Sequence, residues 1–378
     1  METCRASKRK KLLPKEAVED KEDMISNLPD DILHHILFLL PVKSIAKTSV
    51  LSTRWNYLWA TLPCLDFSEF SMKEERRERK KGAMDLIIKT VLACRHANFN
   101  IKVFRFEGHL GLTSLRDCIR QLVLHSVVEL ELDLCLDYDF DLPCCIFDCD
   151  SLTNLTLKTH YSLNCGRNSW FELWSYNVTG TTGLRSLQAL TLISVNFMDS
   201  SAALFSGSSF PVLKRLTLKR CRGLMTTHGL SIGCPQLEDL RIEGTMIIGL
   251  DISSGERLKN LLVQCSFRSC KNIESWVKIY APKLESFSWK QNEIPEKYSV
   301  QSLPLLKTCC IITDCRSRPL ISTNATINFL SAVVSARYLC IHILHGEKVG
   351  FSTLIYLLFV FSPKTKFIIS GISSIYVL

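Results

Sequence analysis

The side chains best suited to chemistry in this chain are its 17 cysteines and 9 histidines. Thiolates act as nucleophiles and soft metal ligands, and imidazoles act as bases and ligands, but each needs partners at short spacing. The tightest thiol group, Cys144, Cys145 and Cys149, lacks a second Cys or His pair at zinc-ligand distance. The histidines fall singly, apart from His34-His35. There is no glycine-rich phosphate loop, no Gly-x-Ser-x-Gly elbow and no His-Glu-x-x-His. The expectation is a non-enzyme that needs neither metal nor cofactor. Its cysteines read as reduced, buried thiols rather than a disulfide framework, because no secretory leader is evident at the N-terminus.

Charge narrows the partners further. The chain has 378 residues, 46 Lys+Arg against 37 Asp+Glu, and a net charge of +9. That excess permits nucleic-acid binding without demanding it. The run Lys8-Arg9-Lys10-Lys11 is a weak nuclear address or a solvated tail. The run 73–81 carries no aromatic residue among its basic ones, as single-strand binding would favour. The longest apolar run, Leu354 to Phe361, is eight residues, where a membrane span needs about twenty. The expected setting is nucleus and/or cytoplasm, with neither membrane nor nucleic acid as partner.

Three short helices follow a flexible charged tail at 1–23. Pro29 suits a helix start, Asp30 and Asp31 suit the positive end of its dipole, and Ile32, Leu33, Ile36, Leu37 and Leu40 repeat at helical spacing before Pro41. A second helix fits Val42 to about Val50, and a third fits Thr53 to Ala60 with Trp55, Leu58 and Trp59. Chains as short as 24–70 usually need a metal, a disulfide or a partner to fold stably. Periodicity leaves open whether this apolar surface docks on another protein or packs on the rest of the chain.

The residues Leu28-Pro29-Asp30-Asp31-Ile32-Leu33, Ile36-Leu37, Leu40-Pro41, Ser49-Val50-Leu51-Ser52, Arg54-Trp55 and Leu58-Trp59 together resemble an F-box. The resemblance implies binding to the Skp-type adaptor of a cullin–RING ubiquitin ligase. The adaptor-binding residues it implies are Leu28, Pro29, Ile32, Leu33, Ile36, Leu37, Leu40, Pro41, Leu51, Trp55 and Trp59.

A charged linker and helix, 71–98, leads into a different period. The pattern L-x-x-L-x-L starts at Val127, Leu152, Leu187, Leu213, Leu237 and Leu258, and more loosely at Leu284 and Leu306. Starts lie 21 to 26 residues apart except for one gap of 35, a leucine-rich-repeat spacing. Eight positions after a start, Cys135, Cys221 and Asn292 fall where such repeats place a buried Cys or Asn. Val195, Thr245 and Ser266 fall there in other copies, so the array looks irregular. The long gap holds an insertion, 165–183, whose Trp170, Phe171, Trp174 and Tyr176 fit a partner-binding loop or a loop tucked over the solenoid.

An F-box followed by irregular repeats resembles the plant F-box/LRR family, in which an FBD region is common. No FBD segment is recognisable in the apolar end, 346–378. The fold class expected is α/β, a three-helix F-box followed by a leucine-rich-repeat solenoid (horseshoe) over 99–345. The family implies a substrate-recognition subunit of an SCF-type ligase, and the alternative is a repeat scaffold without a ligase role. Strand side chains alternate faces. Glu129, Glu131 and Asp133, then Arg215 and Lys219, then Asp239 and Arg241 should therefore point outward as an acidic, a basic and a mixed row. Such alternation suits a protein target of unknown identity better than a phosphate backbone. The competing reading is ordinary solvated residues, with binding on the Trp170–Tyr176 stretch.

Overall fold

The computed structural model describes residues 25–68, 81–95, 99–160, 169–173, 184–198, 205–225, 229–267, 274–314, 336–344, 366–371 and 374–377, apart from 26, 41 and 49, with Phe329 and Val333 besides. The tail at 1–23, the charged run up to residue 80 and the apolar stretch Leu354–Phe361 lie outside them. The chain divides into two compact units, 1–40 and 41–378.

In the first unit, helix α1 (Asp30–Phe38) is capped by Pro29, whose carbonyl accepts from Ile32 and Leu33 N–H, each at 3.1 Å. It stops short of the expected Leu40 because Leu39 and Leu40 donate three residues back, to Ile36 and Leu37. That tighter winding does not propagate far.

The second unit opens with α2 (Val42–Thr48) and α3 (Thr53–Thr61). Ser52 caps α3, its hydroxyl accepting from Trp55 N–H at 3.3 Å. Then follow β1 (Cys64–Phe67), α4 (Lys81–Ala93), β2 (Val103–Gly108) and α5 (Leu112–Leu124). The next strands are β3 (Glu129–Cys135), β4 (Phe140–Asp141), β5 (Asn154–His160), β6 (Phe171–Leu173), β7 (Ala189–Ile193), β8 (Val195–Phe197) and β9 (Phe205–Ser206). After them come β10 (Arg215–Lys219), β11 (Leu230–Gly233), β12 (Asp239–Glu243), β13 (Gly249–Ile252), β14 (Asn260–Gln264) and β15 (Trp276–Ile279). The last are β16 (Ser286–Asn292), β17 (Lys297–Val300), β18 (Thr308–Asp314), β19 (Tyr338–Leu344), β20 (Lys366–Gly371) and β21 (Ser374–Val377).

Thirteen strands, β1-β2-β3-β5-β7-β10-β12-β14-β16-β18-β19-β20-β21, form one sheet, parallel throughout until the antiparallel pair β20–β21. Each repeat start contributes one rung, in register: Arg215 sits between Ala189 and Asp239, and Asn260 between Asp239 and Ser286. The return segments supply a second layer of strands, β4-β6-β8 and β9-β11-β13-β15-β17. The leucines of x-L-x-L-x and the return-strand residues Leu230, Ile232, Leu250, Ile252, Val277 and Ile279 are buried. This is the solenoid logic: no repeat can cover its apolar face alone, and stacking covers it.

Three features differ from the expectation. The sheet begins at β1, inside the segment assigned to the F-box, where only Leu65-x-Phe67 carries the pattern. A further rung, β2, uses Ile101, Phe104 and Phe106 in the leucine positions, all buried. And the insertion is not simply a loop. Phe171 is buried in β6, which pairs with both β4 and β8, while Trp174 and Tyr176 lie outside the described residues.

The irregular capping residues resolve into one continuous device. At the far end of successive strands, Ser194, Arg220, Gly244 and Cys265, and Gln291 at the irregular end of β16, all adopt φ between 50° and 59°, a left-handed region most side chains avoid. The first four donate their N–H to Lys219, Glu243, Gln264 and Lys290 of the following repeat, at 2.7–2.9 Å. The next residue points inward. Thr245 Oγ1 accepts from Cys221 N–H at 3.2 Å, and Cys221 Sγ reaches Leu192 O at 3.4 Å. Ser266 Oγ donates to Gln264 O at 2.8 Å. Asn292 Oδ1 accepts from Ser266 and Phe267 N–H at 2.7 and 3.0 Å, and its Nδ2 donates to Val263 O at 2.8 Å. Cys, Thr, Ser and Asn do equivalent work, because each puts a short polar group where the turning backbone leaves donors and acceptors unpaired.

Candidate docking surfaces

Two surfaces carry the residues singled out above. On α1 the apolar residues divide by helical phase. Leu33 and Leu37 are fully buried, whereas Ile32 (48% exposed), Ile36, Leu40 and Pro29 face solvent and Leu28 is half-buried. In the second unit Leu51 is 67% exposed, Trp55 is half-buried and Trp59 is buried. Pro41 lies outside the described residues. The expected adaptor-binding set thus contains more than one kind of side chain. Leu33, Leu37 and Trp59 are buried, Leu28 and Trp55 are half-buried, and Pro29, Ile32, Ile36, Leu40 and Leu51 are exposed. Sequence reasoning left out Phe38, Leu39, Val50 and Tyr57, all exposed.

The second surface is the outward side of the long sheet. Glu129, Glu131, Asp133, Arg215, Lys219, Asp239 and Arg241 all occupy outward positions, alternating with buried leucines. Their charges are not presented as separate rows. Arg105 on β2 lies 3.8 Å from Glu129 and 3.6 Å from Glu131. Lys158 on β5 lies 2.7 Å from Glu131 and 3.6 Å from Asp133, and His160 pairs with Asp133. Burial opposes the Lys158 ammonium, yet Glu131 and Asp133 outweigh it and raise its pKa. Lys219 meets Glu243 at 3.0 Å, Lys259 meets Glu238 at 2.7 Å and Lys307 meets Glu285 at 2.6 Å. The Lys259 hydrogen bond holds the Glu238 carboxyl below its ordinary value. Parallel register places each cation beside a carboxylate of the neighbouring rung, so the acidic row is largely neutralised across strands. Arg215 and Arg241 stay exposed, with no ion pair among the described residues.

The thiols fall into place with the core. Cys118, Cys135, Cys149, Cys221, Cys234 and Cys309 are buried. Desolvation pushes the Cys221 thiol up to about 11 and Cys234 up to about 12, the opposite of an activated nucleophile. Among the described residues no group of three or more His, Cys, Asp or Glu could hold a metal ion, and no helix is long and apolar enough to cross a membrane.

Residues 25–67 match the F-box domain model. The chain is 34% identical to a putative F-box/FBD/LRR-repeat protein of Arabidopsis thaliana over 276 residues, which covers 72% of this chain and 52% of that protein. A putative F-box/LRR-repeat protein of the same plant is 32% identical over 297 residues, covering 72% of this chain and 65% of the relative. Another is 30% identical over 233 residues, covering 60% and 48%. The chain therefore spans about half to two thirds of the length of these curated relatives.

Proposed function

The chain belongs to the plant F-box/leucine-rich-repeat family, and from that premise we propose that it is the substrate-recognition subunit of an SCF-type (cullin–RING) ubiquitin ligase. The observation that carries the reading is the exposed apolar set Pro29, Ile32, Ile36, Leu40 and Leu51 within the F-box match. Side chains of this kind gain roughly 25 cal/mol per Å² when covered, and a Skp-type adaptor is the cover the family implies. The repeats hold a target protein, with Arg215 and Arg241 as the outward cations open to a new partner. Lys219, already paired with Glu243, contributes less than its position alone implies. The chain itself carries out no bond making. It raises the local concentration of target lysines near ubiquitin held elsewhere in the assembly, and cullin joins through the adaptor.

The test is a quantitative pull-down of the full chain with a Skp-type adaptor. Ile32→Ala with Ile36→Ala removes exposed side chains only, so the fold should persist while affinity falls by about 2 kcal/mol or more. Undiminished capture by the double variant contradicts the assignment. Failure of the unaltered chain to bind would leave the repeat scaffold without a ligase role.

A further inference from the structure

At the strand ends the corner backbone opens a cleft of about 620 Å³, lined in part by His160, Trp170, Arg220, Arg222, Met225 and Met246. Its walls are built by close backbone packing. Arg222 N–H donates to Val195 O at 2.9 Å, Phe197 N–H donates to Arg222 O at 3.0 Å, and Gly223 follows at φ +80°. A Cβ there would lie 1.8 Å from Phe197 O, so only glycine lets the chain pass. Trp170 is anchored by its backbone: its N–H donates to Asp139 Oδ1 at 2.8 Å and its carbonyl accepts from Phe140 N–H at 2.9 Å. The Arg222 guanidinium lies over the Trp170 ring, 4.3 Å from the centroid, which holds that charge in place at the cleft wall.

The cleft groups cations like Arg215 and Arg241, which have no ion pair among the described residues, rather than the paired cations of the sheet. On the sheet, Arg105, Lys158, Lys219, Lys259 and Lys307 each have a carboxylate partner. In the cleft the His160 imidazole is engaged by Asp133, but Arg220 and Arg222 make no ion pair among the described residues. The Arg222 guanidinium held over Trp170 and the exposed Arg220 side chain, beside exposed Met225 and Met246, combine anion recognition with adaptable apolar contact. The volume suits a few side chains rather than a broad surface. The cleft also continues the outward face. Arg215 and Arg220 bracket β10, about 16 Å apart at the usual strand rise, a span of roughly five extended residues.

We propose that this cleft receives an acidic peptide segment of the captured protein, with its carboxylates on Arg220 and Arg222 and a neighbouring apolar side chain between Met225 and Met246. The proposal rests on the target-binding reading of the repeats and gives that target a chemistry: an extended stretch of Asp or Glu interrupted by an apolar residue.

The experiment titrates the full chain with fluorescent synthetic peptides graded in glutamate content around one leucine. Each has a glutamine counterpart and a phosphoserine counterpart. Glutamate peptides should bind roughly tenfold or more tighter than glutamine ones, and added salt should erode the preference. Arg220→Gln with Arg222→Gln should abolish it. Arg220→Gln alone, which keeps the Arg222–Trp170 contact, should weaken it roughly threefold or more, with an unchanged melting temperature. Equal binding of glutamate and glutamine peptides, or a preference that survives the double variant, overturns the proposal. Binding of phosphoserine peptides alone overturns it too, since the site would then read phosphate. Adaptor capture is scored on the same protein: its loss with the glutamate preference intact counts against the ligase role only, and the reverse counts against the cleft only.

Discussion

The F-box segment and the solenoid treat their surfaces in opposite ways. In the solenoid, the inward leucine positions of the described rungs are covered by a neighbouring rung or the return layer, and corner polar groups are bonded from one repeat to the next. In the F-box segment Ile32, Ile36, Leu39, Val50 and Leu51 are left to solvent. One region completes itself by repetition, while the other leaves apolar side chains exposed among the described residues. The difference fits the proposed pairing of a self-supporting recognition arm with a docking segment that a partner would complete. Nearest-neighbour stacking supplies stability in one, and under the proposed function association would add to it in the other.

The sharpest way to break the self-completing half is at the corner device. Asn292 is fully buried and satisfies two N–H groups and one carbonyl. Asn292→Ala strands all three, at about 1–3 kcal/mol for each buried group left unpaired and partly relieved by relaxation. An overall loss of about 3 kcal/mol in chemical denaturation is expected, with adaptor capture retained. A loss below about 0.5 kcal/mol would show that the corners do not hold the rungs together.

How much of this was legible in the sequence follows from which signals are periodic. Leucines at fixed spacing announced eight rungs, and the structure keeps their register. Rung β2 was hidden because Phe104 and Phe106 replace leucine. Helix α5 was hidden although Leu115, Cys118, Ile119 and Leu122, all buried, have helical spacing. The corner positions looked irregular because spacing was read by residue type. Thr245 and Ser266 satisfy the same backbone groups as Cys and Asn, an equivalence visible only once the left-handed φ and the hydrogen bonds are known. On the F-box, spacing found the helices but could not divide Leu33 and Leu37 from Ile32 and Ile36, because a wide apolar stripe does not say which part is covered. On the sheet, alternation correctly placed Glu129, Glu131 and Asp133 outward. Their neutralisation depends on Arg105 and Lys158 of adjacent rungs, a cross-strand relation that no single repeat displays.

A milder perturbation reaches the core through its thiols. Buried Cys221 and Cys234 have pKa values raised to about 11 and about 12 from 9.0. The folded state therefore favours the neutral thiol. That stability is fully present below about pH 9 and is lost as pH rises through the folded values. Denaturation midpoints should fall above pH 9, and alkylation at neutral pH should label exposed Cys94 and Cys144 well before Cys118, Cys221 or Cys309. Rapid labelling of Cys221 in the folded chain would contradict its place in the corner device.

The smallest effect belongs to the sheet's outward pairs. Lys307→Ala removes a 2.6 Å contact with Glu285, but both side chains are well exposed, and such pairs contribute about 0.5 kcal/mol or less. A melting curve should barely move, and less still at high salt. A large shift would mean that the outward face, like the corners, serves stability rather than recognition.

The comparison stands or falls on the incomplete surface. Isothermal titration of a purified Skp-type adaptor into the full chain, at several temperatures, measures both the affinity and the heat-capacity change of covering it. Burial of Ile32, Ile36 and Leu51 predicts a tight complex with a clearly negative heat-capacity change. Both should shrink in Ile32→Ala with Ile36→Ala. No binding, or binding with a heat-capacity change near zero that the double variant leaves untouched, would contradict the account.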